Sequence, residues 1–498
     1  MKRSIYPERS QEASSILFDG DSRKTLVVPL DFAKREHAAL VCLGTGEALS
    51  RPLRVFNTME GVRFLVGKIE RERNRLQIDR GRVLVGGEDP AAYAINFLEA
   101  LRAERYMLLR VGAKEAKKYR SSTRASSDQI DMTGIAEAII HHRARNLERH
   151  DGLWHKMRCA SRARGRLVCD ETALKNRIHR LVETLFPGFL DAARPPVAPF
   201  SDACLAILEK DFTIHKFRRT REATLAQRLA SLGVHKPSEA ATGLKALAEN
   251  AIAPVEGEVA EYQARSLASK VESMRALRKS LWFEENEMAR CLVQTPGFWL
   301  TTIPGVGVTL AGNVCAELGP TERWPDADHM ASYAGIVSRQ KQTGGQDSPP
   351  RKGGLPPDTN RRLRNYLLQV ARHCGTTADP AGRLQWDLAE HVLMKKHKRI
   401  EAKGGRSRLA TAKKFLDVAR SLVRAGAYYM PERWLGSGFE RVHEEEYHGY
   451  LAVMNDTLER KWREYDLAGI EPEVDYLVQW RILYECVAEH RSHRTRGS

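Results

Sequence analysis

Two kinds of apolar spacing divide the chain. Short β-type runs at residues 25–31, 37–43, 53–56, 82–88 and 106–111 predict strands, the first two joined as a hairpin. Between and after them, apolar residues recur at helical spacing over 61–68, 91–102 and 128–139. Strands alternating with helices predict an α/β sheet covered on both faces. Beyond Arg194-Pro195-Pro196-Val197-Ala198-Pro199, a stiff linker, the spacing is almost wholly helical. There Leu267, Val271, Met274, Leu277, Leu281, Met288 and Leu292 recur close to a heptad. That stripe fits an antiparallel helix pair within the chain and also a coiled coil between chains. Further helices are expected over 309–318, 364–373, 409–425 and 434–490, so the fold class is α/β plus mainly α.

Two of the expected strands end in a carboxylate, Asp31 and Glu88, while Asp128 and Asp131 fall at i and i+3 at the start of a helix. The last pair shares a helix face near the end where negative charge is favoured. Four carboxylates brought together would repel one another without cations. They could hold two hard divalent ions such as Mg²⁺, as phosphoryl-transfer sites do. The same residues also fit a plainer reading, with an Asp as helix cap and the strand-end acids solvated.

A second candidate is Ile303-Pro304-Gly305-Val306-Gly307, a glycine turn opening a helix. A helix-hairpin-helix-like turn of this kind can offer the N–H groups at Gly305 and Gly307 to a phosphate. It is followed by Gln342-Thr343-Gly344-Gly345, a hydroxyl beside glycines, and by Arg361, Arg362 and Arg364. Taken singly, these pieces also fit an ordinary helix connection and a polar loop. Arg158, Arg162 and Arg166, each four apart, would line one helix face as a phosphate-tracking stripe or as a solvated one.

Charge tips the balance toward nucleic acid. Across 498 residues, 80 Lys and Arg face 63 Asp and Glu, for a net charge of +17. That excess calls for a polyanionic partner. No run of about eighteen apolar residues occurs, so no membrane span is expected. The start, Met1-Lys2-Arg3-Ser4, lacks the apolar stretch of a secretory signal. The eight cysteines are scattered without a C-x-x-C pair and read as reduced, neither a disulfide frame nor a zinc site.

These motifs stand in an order that resembles the insertion-sequence one-hundred-and-ten family of DEDD transposases, understood as bridge-RNA-guided DNA recombinases. The family's PG(I/V)G turn, A-x-x-L-G helix, Y-A-G segment and Ser-Gly element are matched by Pro304-Gly305-Val306-Gly307, Ala316-Glu317-Leu318-Gly319 (its Ala one position nearer the Leu than in the pattern), Tyr333-Ala334-Gly335 and Thr343-Gly344. Its N-terminal acids are matched by Asp31 with Lys34, Glu88 with Tyr93, and the pair Asp128 and Asp131. Where the family has E-x-T-G-x-Y, this chain reads Glu-Asp-Pro-Ala-Ala-Tyr, which makes Asp89 the competitor of Glu88.

The resemblance covers roughly residues 25–430 and implies a RuvC-like domain of RNase-H fold (23–192); the polar residues 1–22 read as a flexible start, and the spacing over 193–296 as a helical or coiled-coil segment. A helical transposase domain (297–430) and a helical extension (431–498) complete the expected layout. It implies that Asp31, Glu88, Asp128 and Asp131 bind Mg²⁺ and that a hydroxyl attacks the scissile phosphate. Thr343 stands at the family's nucleophilic Ser, with Ser338 and Ser348 as alternatives. It further implies DNA partners (element ends and target), a noncoding guide RNA bound by the basic helices, and a homo-oligomer, dimer or tetramer, sharing its active sites. The expected location is the bacterial cytoplasm, at the nucleoid. Two other functions stay open: a metal-dependent nuclease or junction resolvase using water, and a non-catalytic nucleic-acid-binding protein.

Overall fold

Alternation along β1 (Leu26–Asp31) sets the architecture of the first part of the chain: Leu26, Val28 and Leu30 enter one core and Val27 the other. The computed structural model describes residues 16, 21–88, 91–120, 128–147, 152–190, 197–210, 212–253, 257–303, 306–337, 340–341, 351–352, 359–375 and 407–425. The chain divides into two compact units, Met1–Asp151 and Gly152–Ser498.

In the first unit β1 is joined by β2 (Glu36–Ala39), β3 (Cys42–Leu43), β4 (Leu53–Phe56), β5 (Val83–Gly87), β6 (Met107–Arg110) and β7 (Arg145–Asn146). The order is β4-β2-β1-β5-β6-β7, with β3 also paired to β1. Strands β1, β5 and β6 run parallel, and the other pairings are antiparallel. The expected hairpin over 37–43 forms, interrupted at Leu40–Val41. Opposite the break stands Pro29, which has no N–H to give the ladder.

Helices α1 (Met59–Arg75) and α2 (Ala91–Ala103) cover the Leu26 face, and α3 (Ala113–Tyr119) and α4 (Asp128–Ile140) the Val27 face. Helix α1 outruns the expected 61–68 because Ile69 is still buried. Its polar second half is laced by the Arg73–Glu70 and Arg75–Glu72 ion pairs. A mixed sheet covered on both faces is consistent with an RNase-H-like domain.

The second unit is mostly helical: α5 (Gly152–Leu185), α6 (Asp202–Leu208), α7 (Ile214–Arg219), α8 (Glu222–Ser231), α9 (Pro237–Asn250), α10 (Glu258–Leu292), α11 (Val308–Leu318), α12 (Ala327–Ala334), α13 (Arg361–Gly375) and α14 (Ser407–Ala425). A short antiparallel pair, β8 (Gln340–Lys341) and β9 (Arg351–Lys352), precedes α13. Helices α5 and α10 run antiparallel, held by Lys156–Glu287 (2.5 Å), Arg164–Glu285 (2.6 Å) and Arg278–Glu171 (3.6 Å). The heptad-like stripe is used inside the chain: Leu267, Val271 and Met274 join Phe186, Phe189, Phe212 and Phe217 in one core, while Met288 and Leu292 join α11 in another. Leu277 and Leu281 are half-buried. Helix α5 buries Met157, Ala160, Ile178, Val182 and Leu185 in these cores. It therefore packs with the second unit, although residues up to 192 were expected to close the first domain.

Among the described residues, Cys42, Cys159, Cys169, Cys204, Cys291 and Cys315 are free, and no helix is long and apolar enough to cross a membrane.

Because the α10 stripe is internal, Val271→Asp should place an unpaired charge in the core and cost about 3–5 kcal/mol. Urea unfolding followed by circular dichroism would measure it. A variant with unchanged stability that altered only the oligomeric state would show the stripe to be an intermolecular seam.

Candidate active site and its supporting network

Parallel pairing of β1 with β5 matches Leu30 to Gly87, so the next residues, Asp31 at the end of β1 and Glu88 just past β5, follow side by side on adjacent strands. Neighbouring strands lie about 4.8 Å apart. Pleat alternation puts both carboxylate positions on the face that α4 covers. Gly87 permits the close approach, because a Cβ there would strike the Leu30 carbonyl and the Phe32 ring. The turn after Asp31 is fixed by buried His37, whose Nδ1 accepts from the Ala33 N–H at 3.3 Å. Its ring meets Phe32 and Phe97 edge-on. Burial lowers the His37 pKa against the opposing pull of its Asn57 and Ala33 hydrogen bonds, so the ring stays a neutral acceptor.

Asp131, in the first turn of α4, joins Glu88 through a residue that spacing did not single out. Arg120, just past the end of α3, places Nη2 on Glu88 Oε1 and Nε 3.1 Å from Asp131 Oδ1. Gly134, one turn along α4, makes room: a Cβ there would lie 2.9 Å from Arg120 Cγ and 2.7 Å from the Ala116 carbonyl. No periodicity marks Arg120; the residue lies in a basic stretch with Lys117 and Lys118 that reads as surface. Asp128 opens α4, but its side chain lies outside the described residues, as does Asp89. Among the described residues no three His, Cys, Asp or Glu converge closely enough to hold a metal ion. Glu88 and Asp131 meet round the Arg120 guanidinium, and their carboxylate oxygens are donors of the kind a hard divalent ion takes.

The second unit turns on a fully buried carboxylate, Glu317 in the last turn of α11. Arg162 of α5 binds it with two bonds, Nε to Oε1 at 2.8 Å and Nη2 to Oε2 at 2.9 Å. Asn360 Nδ2 donates to Oε2 at 2.8 Å and to the Tyr333 hydroxyl at 3.1 Å. The Asn360 Oδ1 caps α13 by accepting from the Leu363 N–H. Burial pushes the Glu317 carboxyl upward, but the Arg162 and Asn360 hydrogen bonds and the Arg162 and Arg158 charges outweigh it and hold the group below the ordinary range. Nearby, Arg158 Nε donates to the Ala316 carbonyl at 2.8 Å. Arg158 and Arg162 thus turn inward, to the carbonyl end of α11 where cations are favoured. Arg166 is exposed and lies near Glu284.

The Y-A-G segment serves the same network. The Tyr333 carbonyl accepts from the Asn360 N–H, and the Ala334 carbonyl accepts from Arg364 Nε at 3.2 Å. Gly335 has φ +69° and no room for a Cβ beside Thr359 and Arg364. Arg361 and Arg362 are exposed on α13. Gly307 caps α11 with open space around it, while Gly305, Ser338, Thr343 and Ser348 lie outside the described residues.

Residues 28–187 match the DEDD transposase model of IS110, and residues 299–387 match the model described as Transposase IS116/IS110/IS902 family. This chain belongs to the IS110 transposase family. A relative, the uncharacterised 43.6 kDa protein of insertion element IS110 from Streptomyces coelicolor, is 26% identical over 316 residues, 61% of this chain and 72% of that protein. The first matched stretch contains all four candidate acids and ends just past α5; the second contains the glycine turn, Glu317, Tyr333, Thr343 and Asn360. An IS110 transposase is a DNA-binding enzyme of DNA cleavage and recombination, and its DEDD domain implies dependence on a divalent metal.

Removing the partner of Glu317 tests the buried network. Arg162→Ala should cost about 3–5 kcal/mol, because it strands a buried carboxylate. The lowered Glu317 pKa stabilises the fold above the unfolded carboxylate value of about 4.3 and loses that contribution as pH falls through the folded value. Glu317→Gln should therefore flatten the decline in melting temperature below that pH. An identical acid limb in both proteins would contradict the pairing.

Proposed function

We propose that this transposase is an Mg²⁺-dependent DNA recombinase with a hydroxyl nucleophile, guided to its sites by a noncoding RNA. The observation that carries the reading is the register that sets Asp31 beside Glu88, on the sheet face packed by the helix that bears Asp131. With Asp128 these residues would hold the metal, two ions in a complete site. Bound there, a divalent ion would supply Lewis-acid stabilisation of charge on the scissile phosphate.

Thr343 is the nucleophile, with Ser338 and Ser348 as the neighbouring hydroxyls. Its Oγ1 gives up its proton and bonds to phosphorus, the bond from phosphorus to the 3′ oxygen breaks, and the leaving oxygen takes up a proton in exchange to become a free 3′-hydroxyl. A hydroxyl is a poor nucleophile at its ordinary pKa, so the reaction requires activation. The positive end of α11 behind a helix-hairpin-helix-like turn at Gly305 and Gly307, with exposed Arg361 and Arg362, would bind backbone phosphates. Base pairing by the guide RNA would supply the sequence choice, leaving backbone and shape to the protein. The working form is a homo-oligomer, dimer or tetramer, at the bacterial nucleoid, in keeping with the net charge of +17.

The test is purification with bound RNA sequenced, then incubation with DNA bearing the element's own ends and Mg²⁺. A discrete RNA should copurify, and a covalent protein–DNA adduct should form and vanish in Thr343→Ala. Asp31→Ala should abolish strand exchange, a loss of at least about a hundredfold, while nucleic-acid binding persists. Asp31-dependent cleavage without an adduct would establish a nuclease using water instead, and equal loss of binding in Asp31→Ala would refute the metal site.

A further inference from the structure

We propose that Arg120 is the resting counter-ion of the acid site, a guanidinium that a divalent metal must displace to bind. The inference rests on the reading that these acids hold the metal. The Arg120 guanidinium faces both acids. Its Nη2 takes Glu88 Oε1 and its Nε faces Asp131 Oδ1 at 3.1 Å, so one planar group spans two strand- and helix-borne carboxylates. Arg120 Nε and Asp131 Oδ1 are both shut off from solvent and meet as an ion pair without the alignment of a hydrogen bond, so the hydrogen bond of the guanidinium is the one to Glu88. The three side chains are only 28%, 23% and 17% exposed, which sets the contact apart from a freely hydrated surface pair of little consequence.

Two carboxylates at one spot repel each other, and a guanidinium cancels half of that charge. A hard divalent ion cancels all of it, and to bridge the two carboxylates it must stand within about 2.0–2.5 Å of their oxygens, in the space the guanidinium now fills. Two cations cannot take one place between the same acids, and their charges repel each other. Metal entry and the Arg120 contact are therefore alternatives.

The backbone is arranged for the resting form. Helix α3 rests on α4 across Gly134, the position where a side chain would collide with Arg120 Cγ and the Ala116 carbonyl. Arg120 follows the last residue of α3 in extended conformation (φ −66°, ψ 141°), which ends the helix and sends the side chain along α4 toward Asp131. Displacing the guanidinium removes this tie between the end of α3 and the acid site. Metal binding should then loosen the last turn of α3, and losing the guanidinium should make the metal bind more tightly. An apparent dissociation constant is the intrinsic one divided by the open fraction. If about a tenth of the protein is open at rest, removing the gate tightens binding about tenfold.

The experiment is Mn²⁺ binding to the full-length protein without nucleic acid, followed by electron paramagnetic resonance. Glu88→Gln should weaken the site strongly, and Arg120→Gln should tighten it about tenfold. In the wild-type protein Mn²⁺ should speed deuterium exchange at the amides of Lys117, Lys118 and Tyr119. That measurement decides the matter should Arg120→Gln fail to fold. Unchanged or weaker Mn²⁺ binding by a folded Arg120→Gln, or exchange at those amides that Mn²⁺ leaves unchanged or slows, would overturn the gate while leaving the metal site standing. Mn²⁺ binding that survives Glu88→Gln undiminished would overturn the metal site and the gate together.

Discussion

Parallel pairing of β1 with β5 is the constraint on which the first unit depends. A slip of one residue would send Leu26, Val28 and Leu30 out of their core and turn Asp31 to the wrong face. The core therefore protects the geometry of the site: apolar burial on both faces specifies the register, and the register places two carboxylates side by side. Gly87 and Phe32 tighten the arrangement, since the ring lies where a Cβ would otherwise stand. Packing of α4 through Ile135 and Ile139 then brings Asp131 to the same face. Repulsion between Glu88 and Asp131 is met in the protein itself, by Arg120.

The second unit applies a related principle to structure. Glu317 is buried because it accepts three hydrogen bonds, two from Arg162 and one from Asn360. Such a charge is costly without its partners and gains geometric definition from them. Through these bonds α5, α11, α12 and α13 are tied at one point. The A-x-x-L-G and Y-A-G elements are thus explained by packing: Ala316 and Ala334 offer carbonyls to arginines, Glu317 anchors Arg162, and Gly319 and Gly335 take positive φ at helix ends.

The layered sheet was legible because alternation and helical spacing are local signals. Strands over 25–31, 53–56 and 106–111 and the helix over 91–102 emerge nearly where the apolar pattern sets them. Helix α3 was not, since Ala116 is its one buried residue and seven residues carry too little period. The carboxylate ends of β1 and β5 were legible as positions, but their adjacency follows from strand order, which no local signal carries. Arg120 was hidden for the same reason. The inward turn of Arg158 and Arg162 was also illegible, because spacing reports which helix face an arginine occupies and not what covers that face. The heptad-like stripe left two partners open, and tertiary packing against α5 and the aromatic cluster chose the one inside the chain.

If Asp31, Glu88 and Asp131 share one cation, the ion should be visible in anomalous diffraction from crystals of the full-length protein soaked in Mn²⁺. A peak is expected bonded to their carboxylate oxygens, with Arg120 withdrawn from Glu88. Bound Mn²⁺ elsewhere, with these acids unliganded and Arg120 still in place, would contradict a shared site.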